Sequence, residues 1–169
     1  MSEAKTAGAA KPESTAKAEN PKPESPKPES PKPARPAPKP NVYVDTQPFW
    51  DGARQGKLMM QYCTETGRFQ HYPRPVSVFT GRRTLEWREV SGNGTIYACT
   101  TVRIPGPGVE GRLPLPVATV ELDEGVRLIA NILGCAPEEM AIGKRVALAF
   151  DHFDDGTPYP AFRLVDNGR

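Results

Sequence analysis

Three cysteines, two histidines and a short run of aspartates are the side chains here with catalytic or metal-binding chemistry. Cys99 lies between Ala98 and Thr100 in a stretch rich in β-branched residues. A nucleophilic thiolate needs a base or a helix N-terminus beside it. Sequence places neither His71 nor His152 there, so Cys99 reads as a buried structural cysteine, and Cys63 and Cys135 read the same way. Asp151, Asp154 and Asp155 have the composition of a paired-acid or Mg²⁺ cluster, but a solvated hairpin accounts for them too. His152, between Asp151 and Phe153, reads as a surface residue rather than a general base. Gly106-Pro107-Gly108 with Gly111 is no phosphate loop, because no Lys-Ser/Thr follows and no helix begins there. No triad, metal cluster or perturbed pair is visible, which leaves self-contained catalysis without a residue set.

The elements that position these side chains are mostly strands. Thr46 is placed to cap a short helix with Pro48 early in it and Phe49, Trp50, Ala53 and Leu58 on roughly one face. Leu58 to Cys63 reads as a strand. Residues 64–82 are polar and punctuated by Gly and Pro, yet carry Phe69, Tyr72 and Phe79, so they form a compact irregular module. Leu85 to Val90 alternates at period two, and Ser91 to Gly94 turns into a strand from Thr95 to Ile104. Pro105 to Pro116 reads as a long loop. Val117 to Leu122 and Val126 to Leu133 form a hairpin about Asp123-Glu124-Gly125. A helical turn opens at Pro137 and ends at Gly143. Strands from Val146 to Phe150 and Tyr159 to Val165 follow. The fold class is mainly β: a five-stranded OB-type barrel, preceded by a short helix and the irregular module.

Composition divides the 169 residues in two. Residues 1–40 hold 10 of the 20 prolines, none of the aromatics, 8 Lys/Arg and 5 Asp/Glu, so the mildly basic balance belongs to this segment. Pro-Lys-Pro-Glu-Ser repeats at 21–25 and 26–30, which predicts a disordered, partly polyproline II tail. The remaining residues suit one domain. Their near-neutral charge, and the lack of exposed aromatics among basic strand residues, argue against nucleic acid. No apolar run approaches the roughly 18–20 residues of a membrane span. The N-terminus lacks a signal-peptide core, and three unpatterned cysteines fit a reducing cytoplasm.

An ordered set of short motifs carries a family resemblance. It runs from Pro48-Phe49-Trp50-Asp51-Gly52 through Gly56-Lys57-Leu58, Gln61-Tyr62-Cys63, Gly67-Arg68 and Tyr72-Pro73-Arg74-Pro75 to Leu85-Glu86-Trp87. Val90 to Tyr97, Val120 to Leu128 and Ile142 to Val146 complete it. The chain resembles, over about 45–165, the acyl-CoA-associated OB-fold proteins with a rubredoxin-like zinc ribbon. With the composition of the tail over 1–40, the resemblance divides the chain into that tail, an N-terminal helix over 41–57, a degenerate zinc-ribbon module over 58–84 and an OB-fold domain over 85–169. It also implies a non-catalytic accessory subunit in a hetero-oligomer with a thiolase-like catalytic subunit. That subunit would help form the partner's CoA or acyl channel, with a CoA thioester at the shared site and no cofactor of its own. A free-standing OB-fold module binding nucleic acid or acyl-CoA is the alternative.

The resemblance also implies two Cys-x-x-Cys knuckles, and here the sequence departs from it. Cys63 is present, but the other knuckle positions hold Thr66, Ser77 and Thr80, and His71 lies off them. One thiolate and three hydroxyls are not a structural zinc set, so no metal is expected, and the hydroxyls are expected to bond the turn backbone. Around this module Arg68, Arg74, Arg82 and Arg83 can pair with CoA phosphates or with a partner. With Phe49, Trp50 and Tyr72 they are the candidate CoA-binding or partner-contact residues.

Overall fold

The computed structural model describes residues 42–104, 106, 110–153 and 155–165, all within the unit Pro33–Arg169. The repeat tail over 1–40 and part of the glycine–proline loop lie outside the described residues. A 3-10 turn at Val44–Thr46 leads into helix α1, Gln47–Arg54. Pro48 occupies the first turn, where its missing N–H has no intrahelical partner to lose. Thr46 does not cap the helix with its side chain. Its hydroxyl turns back to Tyr43, accepting that residue's N–H at 3.0 Å and donating to its carbonyl at 3.1 Å. The helix stops where Gly56 takes φ +73° and Lys57 N–H bonds the Gly52 carbonyl at 2.9 Å.

Among the described residues eight strands form two sheets. In the first, β1 (Met59–Cys63) lies between β2 (Arg68–Gln70) and β3 (Leu85–Glu89), antiparallel to both. The stretch 64–82, read as irregular, thus contributes β2. The segment at 85–90, grouped by sequence with the barrel, instead pairs along β1 from Met59↔Glu89 to Cys63↔Leu85. Period-two alternation shows that a segment is a strand but not which neighbour it takes.

The second sheet contains β4 (Asn93–Val102), β5 (Leu115–Leu122), β6 (Arg127–Asn131), β7 (Arg145–His152) and β8 (Pro158–Leu164). Its order is β6-β5-β4-β7-β8. A parallel bridge between Ile132 and Phe162, with Leu133 N–H donating to the Phe162 carbonyl at 2.7 Å, brings its edges together. The result is the near-closed five-stranded OB-type barrel. β5 begins at Leu115, so Pro116, expected in the loop, pairs with Thr101 within the ladder.

Alternation builds the core. Ala118, Val120 and Leu122 of β5 point inward with Leu128 and Ala130 of β6, and Ile96, Val146 and Phe162 meet them fully buried. A buried side chain of the size of Phe162 contributes about 1.5–3 kcal/mol through burial alone. Leu58, Met60 and Val90 join the same cluster, with Phe49 of α1 packed on it. Core packing therefore fixes the helix and the first sheet against the barrel. Among the described residues no helix is long and apolar enough to cross a membrane.

Candidate functional site

The departures from the knuckle pattern converge on one sulfur. Gly67 N–H bonds the Cys63 carbonyl at 2.9 Å and Gly81 N–H bonds the Ser77 carbonyl at 2.8 Å, closing two similar turns that face each other. Between them Ser77 Oγ donates to Cys63 Sγ at 3.1 Å, and Thr84 Oγ1 lies 3.6 Å from the same sulfur. Hydrogen bonds from Ser77 and Thr66, with help from Thr84 and against the cost of burial, pull the Cys63 thiol down to about 6. The Thr80 hydroxyl instead accepts Arg82 N–H at 3.3 Å. Thr84, not Thr80, is the further hydroxyl beside Cys63. Zinc needs Cys or His at its corners, and among the described residues no three His, Cys, Asp or Glu gather to hold a metal. The donor set does not fit zinc, whereas hydroxyl donors around a single thiolate suit it.

Two buried glutamines hold the next turn. Gln61 and Gln70 stand opposite each other on β1 and β2, with Gln70 Nε2 donating to Gln61 Oε1 at 2.9 Å. Gln61 then brackets the Arg74 backbone, accepting its N–H at 2.8 Å and donating to its carbonyl at 2.9 Å. Gln70 accepts Val78 N–H at 2.9 Å and donates to the Val76 carbonyl at 3.3 Å. These bonds fix His71, Tyr72 and Pro73 against the helix. Sequence reasoning gave neither glutamine this role, because 68–70 was not read as a strand and the facing of Gln61 and Gln70 comes from that pairing.

That turn forms one wall of a cleft of about 390 Å³. Phe49 and Trp50 of α1 supply a second wall, their rings edge to face with centroids 5.2 Å apart. Ile129 of β6 and Tyr159 of β8 form the barrel side, and Tyr43 also lines it. Three of the sequence candidates, Phe49, Trp50 and Tyr72, therefore meet at one place. Tyr72 is 60% exposed and Ile129 63%, so apolar surface here lies open to solvent. His71 packs between Phe49 and Tyr72, with centroids at 6.1 and 4.2 Å. Burial pushes it down to about 4, so the ring is neutral at pH 7. Its Nδ1 is sealed from solvent and has no hydrogen-bond partner among the described residues, an arrangement that costs about 1–3 kcal/mol.

The arginine candidates do not converge. Arg68 lies over the Phe79 ring at 4.2 Å, and Arg82 pairs with Glu65 at 3.5 Å. The side chains of Arg74 and Arg83 make no ion pair among the described residues, and Arg74 follows Pro73 at the cleft margin.

Asp151, read as part of a solvated hairpin, is half-buried in β7 and ion-paired with Arg112. Tyr159 Oη donates to Asp151 at 2.6 Å and accepts from Arg112 at 3.0 Å and Asn131 at 3.2 Å. Burial raises the Asp151 carboxyl, but the bonds from Tyr159 and Arg112 outweigh it, and the net displacement is downward. Burial, reinforced by the bond to Asp151, pushes the Tyr159 phenol up. The network joins the turn at Glu110–Arg112 to β7 and β8 and orients the Tyr159 ring in the cleft. Cys99, expected to be buried, is half-buried and lines a shallow hollow outside the barrel with Val117 and Ile129. No histidine contacts it among the described residues.

Comparison with known proteins agrees with this architecture. A family model described as the ChsH2 rubredoxin-like zinc ribbon domain matches residues 50–76, and one described as the ChsH2 C-terminal OB-fold domain matches 87–151. A DUF35 domain-containing scaffold protein of Pyrococcus furiosus is 31% identical over 100 residues, covering 59% of this chain and 74% of the relative. The 3-oxo-4,17-pregnadiene-20-carboxyl-CoA hydratase alpha subunit of Mycobacterium tuberculosis is 32% identical over 122 residues, covering 72% of this chain. The chain spans less than two-fifths of the hydratase alpha subunits it matches, 38% in this case. A solved chain of an Ltp2-ChsH2(DUF35) aldolase superposes with a TM-score of 0.68 at 30% identity, over 75% of this chain and 98% of that one.

Proposed function

Since the chain belongs to the DUF35 family of zinc-ribbon and OB-fold proteins, we propose that it is a non-catalytic accessory subunit of an acyl-CoA-processing complex whose partner is a thiolase-type enzyme. The observation that carries this reading is the open aromatic cleft where α1, the 71–73 turn and the barrel meet. Aromatic residues on a rigid scaffold, partly exposed, are the composition of a protein interface. Relatives named as a scaffold protein, a hydratase alpha subunit and the DUF35 part of an aldolase give this reading its direction.

The subunit's own residues bind and orient rather than react. Phe49, Trp50 and Tyr72 cover the acyl region of a CoA thioester at a site shared with the partner, and exclude water from it. Arg74 and Arg83, without ion pairs among the described residues, are the groups left to meet the phosphates. Bond making belongs to the partner, because Cys99 has no base in contact among the described residues and Cys63 is enclosed by hydroxyls.

Co-expression with a thiolase-like protein encoded beside it tests this reading. The two chains should co-purify, and turnover of acyl-CoA should require both. Full turnover by this chain alone, or failure to associate with any such partner, would overturn it.

A further inference from the structure

We propose that the cleft is a specific pocket for an uncharged, flat apolar group bearing one hydrogen-bonding oxygen, and that the His71 imidazole receives that oxygen. The proposal deepens the reading above, on which it rests for the enzyme served. It assigns the cleft to the acyl body of the substrate and not to the nucleotide.

The lining dictates the ligand class. Tyr43, Phe49, Trp50, Tyr72 and Tyr159 present ring faces, which stack flat groups. Among the described residues no lysine, arginine or carboxylate lines the cleft, so a phosphate or an ammonium would enter without a counter-charge. Its volume of about 390 Å³ falls within the roughly 300–1,000 Å³ of small-molecule sites. Two of the hydroxyls inside are already used. Tyr159 Oη donates once and accepts twice, its full capacity. Thr46 Oγ1 is bonded both ways to Tyr43. Among the described residues, His71 is the lining group with a polar atom that is both sealed and unpartnered. A neutral imidazole has one donor and one acceptor nitrogen, so it can serve a hydroxyl or a carbonyl. Tyr72, stacked over the imidazole at 4.2 Å and 60% exposed, is the side chain that swings aside to admit the ligand.

The test uses the isolated full chain and two probes of nearly equal shape, 2-naphthol and 2-methylnaphthalene, which differ in one hydroxyl. Binding is followed by the fluorescence of Trp50 and of the naphthalene. The wild type should bind 2-naphthol about three- to tenfold more tightly than 2-methylnaphthalene, the ratio one hydrogen bond supplies. His71→Phe should bind both equally, and His71→Asn should restore part of the preference. Failure of the wild type to bind either probe, equal binding of both, or a preference that survives in His71→Phe would each overturn the proposal. Should His71→Phe not fold, nitrogen NMR of the wild type decides. The chain has two histidines, so the His71 resonances can be assigned with a His152 variant. They should move with 2-naphthol and not with 2-methylnaphthalene, and their indifference to 2-naphthol would refute the assignment. Because no partner is present, this outcome is independent of whether the thiolase-type reading holds.

Discussion

Ser77 Oγ donates a hydrogen bond to Cys63 Sγ at 3.1 Å, across the two turns closed by Gly67 and Gly81, where the family resemblance implies zinc knuckles. The same hydroxyl accepts Phe79 N–H at 3.2 Å, so one serine ties its own turn to the facing sulfur. The purified chain should therefore carry no stoichiometric zinc, and a chelator should leave its thermal midpoint unchanged. Ser77→Ala removes a donor and an acceptor at a buried position, and should lower stability by about 1–3 kcal/mol. Elemental analysis and denaturant titration are the measurements. One zinc per chain, or folding lost on chelation, would refute this account.

The same centre sets a pH dependence. In the folded chain hydrogen bonds from Ser77 and Thr66 hold the Cys63 thiol at about 6, against an ordinary value of about 9. Between those values the unfolded chain binds the additional proton, so stability should rise with pH across pH 6–9. The contribution is fully present above pH 9 and is lost as pH falls through 6. Thermal midpoints over this range should climb in the wild type relative to Cys63→Ala. Ultraviolet absorbance of the folded protein should report a thiolate forming near pH 6. Parallel curves for the two proteins would count against a thiolate in this cage.

The backbone makes a sharper demand at the start of the barrel. Gly92 has φ +73°, and a Cβ there would lie 2.5 Å from Leu148 Cβ. Its carbonyl also accepts Leu148 N–H at 2.8 Å, the bond that seats β7 beside β4. Gly92→Ala combines left-handed strain with overpacking, each worth about 1–3 kcal/mol. Its denaturation midpoint should fall well below that of Gly125→Ala, where φ is +78° but no atom lies within 4 Å. Equal losses would show that conformation alone, not contact, sets the cost.

Local pattern in the sequence reveals much of the barrel. Val117 to Leu122 and Leu128 to Ala130 alternate, and Asp123-Glu124-Gly125 turns between them, because one face of each strand must be buried. The pairing of β3 with β1 depends on choosing between two sheets, which alternation does not encode. The cleft is less legible still. Phe49, Tyr72, Ile129 and Tyr159 come from four separate segments, so no spacing relates them. Phe49, Trp50 and Tyr72 were recognisable through the family resemblance. His71 was passed over because its significance lies in a buried nitrogen without a partner, a property of packing. Asp151 was grouped with its chain neighbours, although its partners are Arg112 and Tyr159.

The last prediction separates an accessory subunit from an enzyme. Acyl-CoA carbon–carbon chemistry needs an activated thiolate, an acid/base and an oxyanion hole. Cys99 is half-buried with no base in contact among the described residues, so Cys99→Ser should leave turnover of the complex close to wild type. Trp50 lies in the cleft wall with its ring against Phe49. Aromatic residues in such positions supply a disproportionate share of interface energy, about 2 kcal/mol or more on truncation. Trp50→Ala should therefore weaken assembly at least roughly tenfold, or raise the apparent KM for the acyl-CoA substrate. Arg74→Ala should act in the same direction at lower ionic strength and less in high salt, because an exposed guanidinium acts through a screened field. Pull-down and steady-state kinetics with the partner measure both effects. Loss of all activity in Cys99→Ser with assembly intact would move the chemistry onto this chain and end the accessory reading.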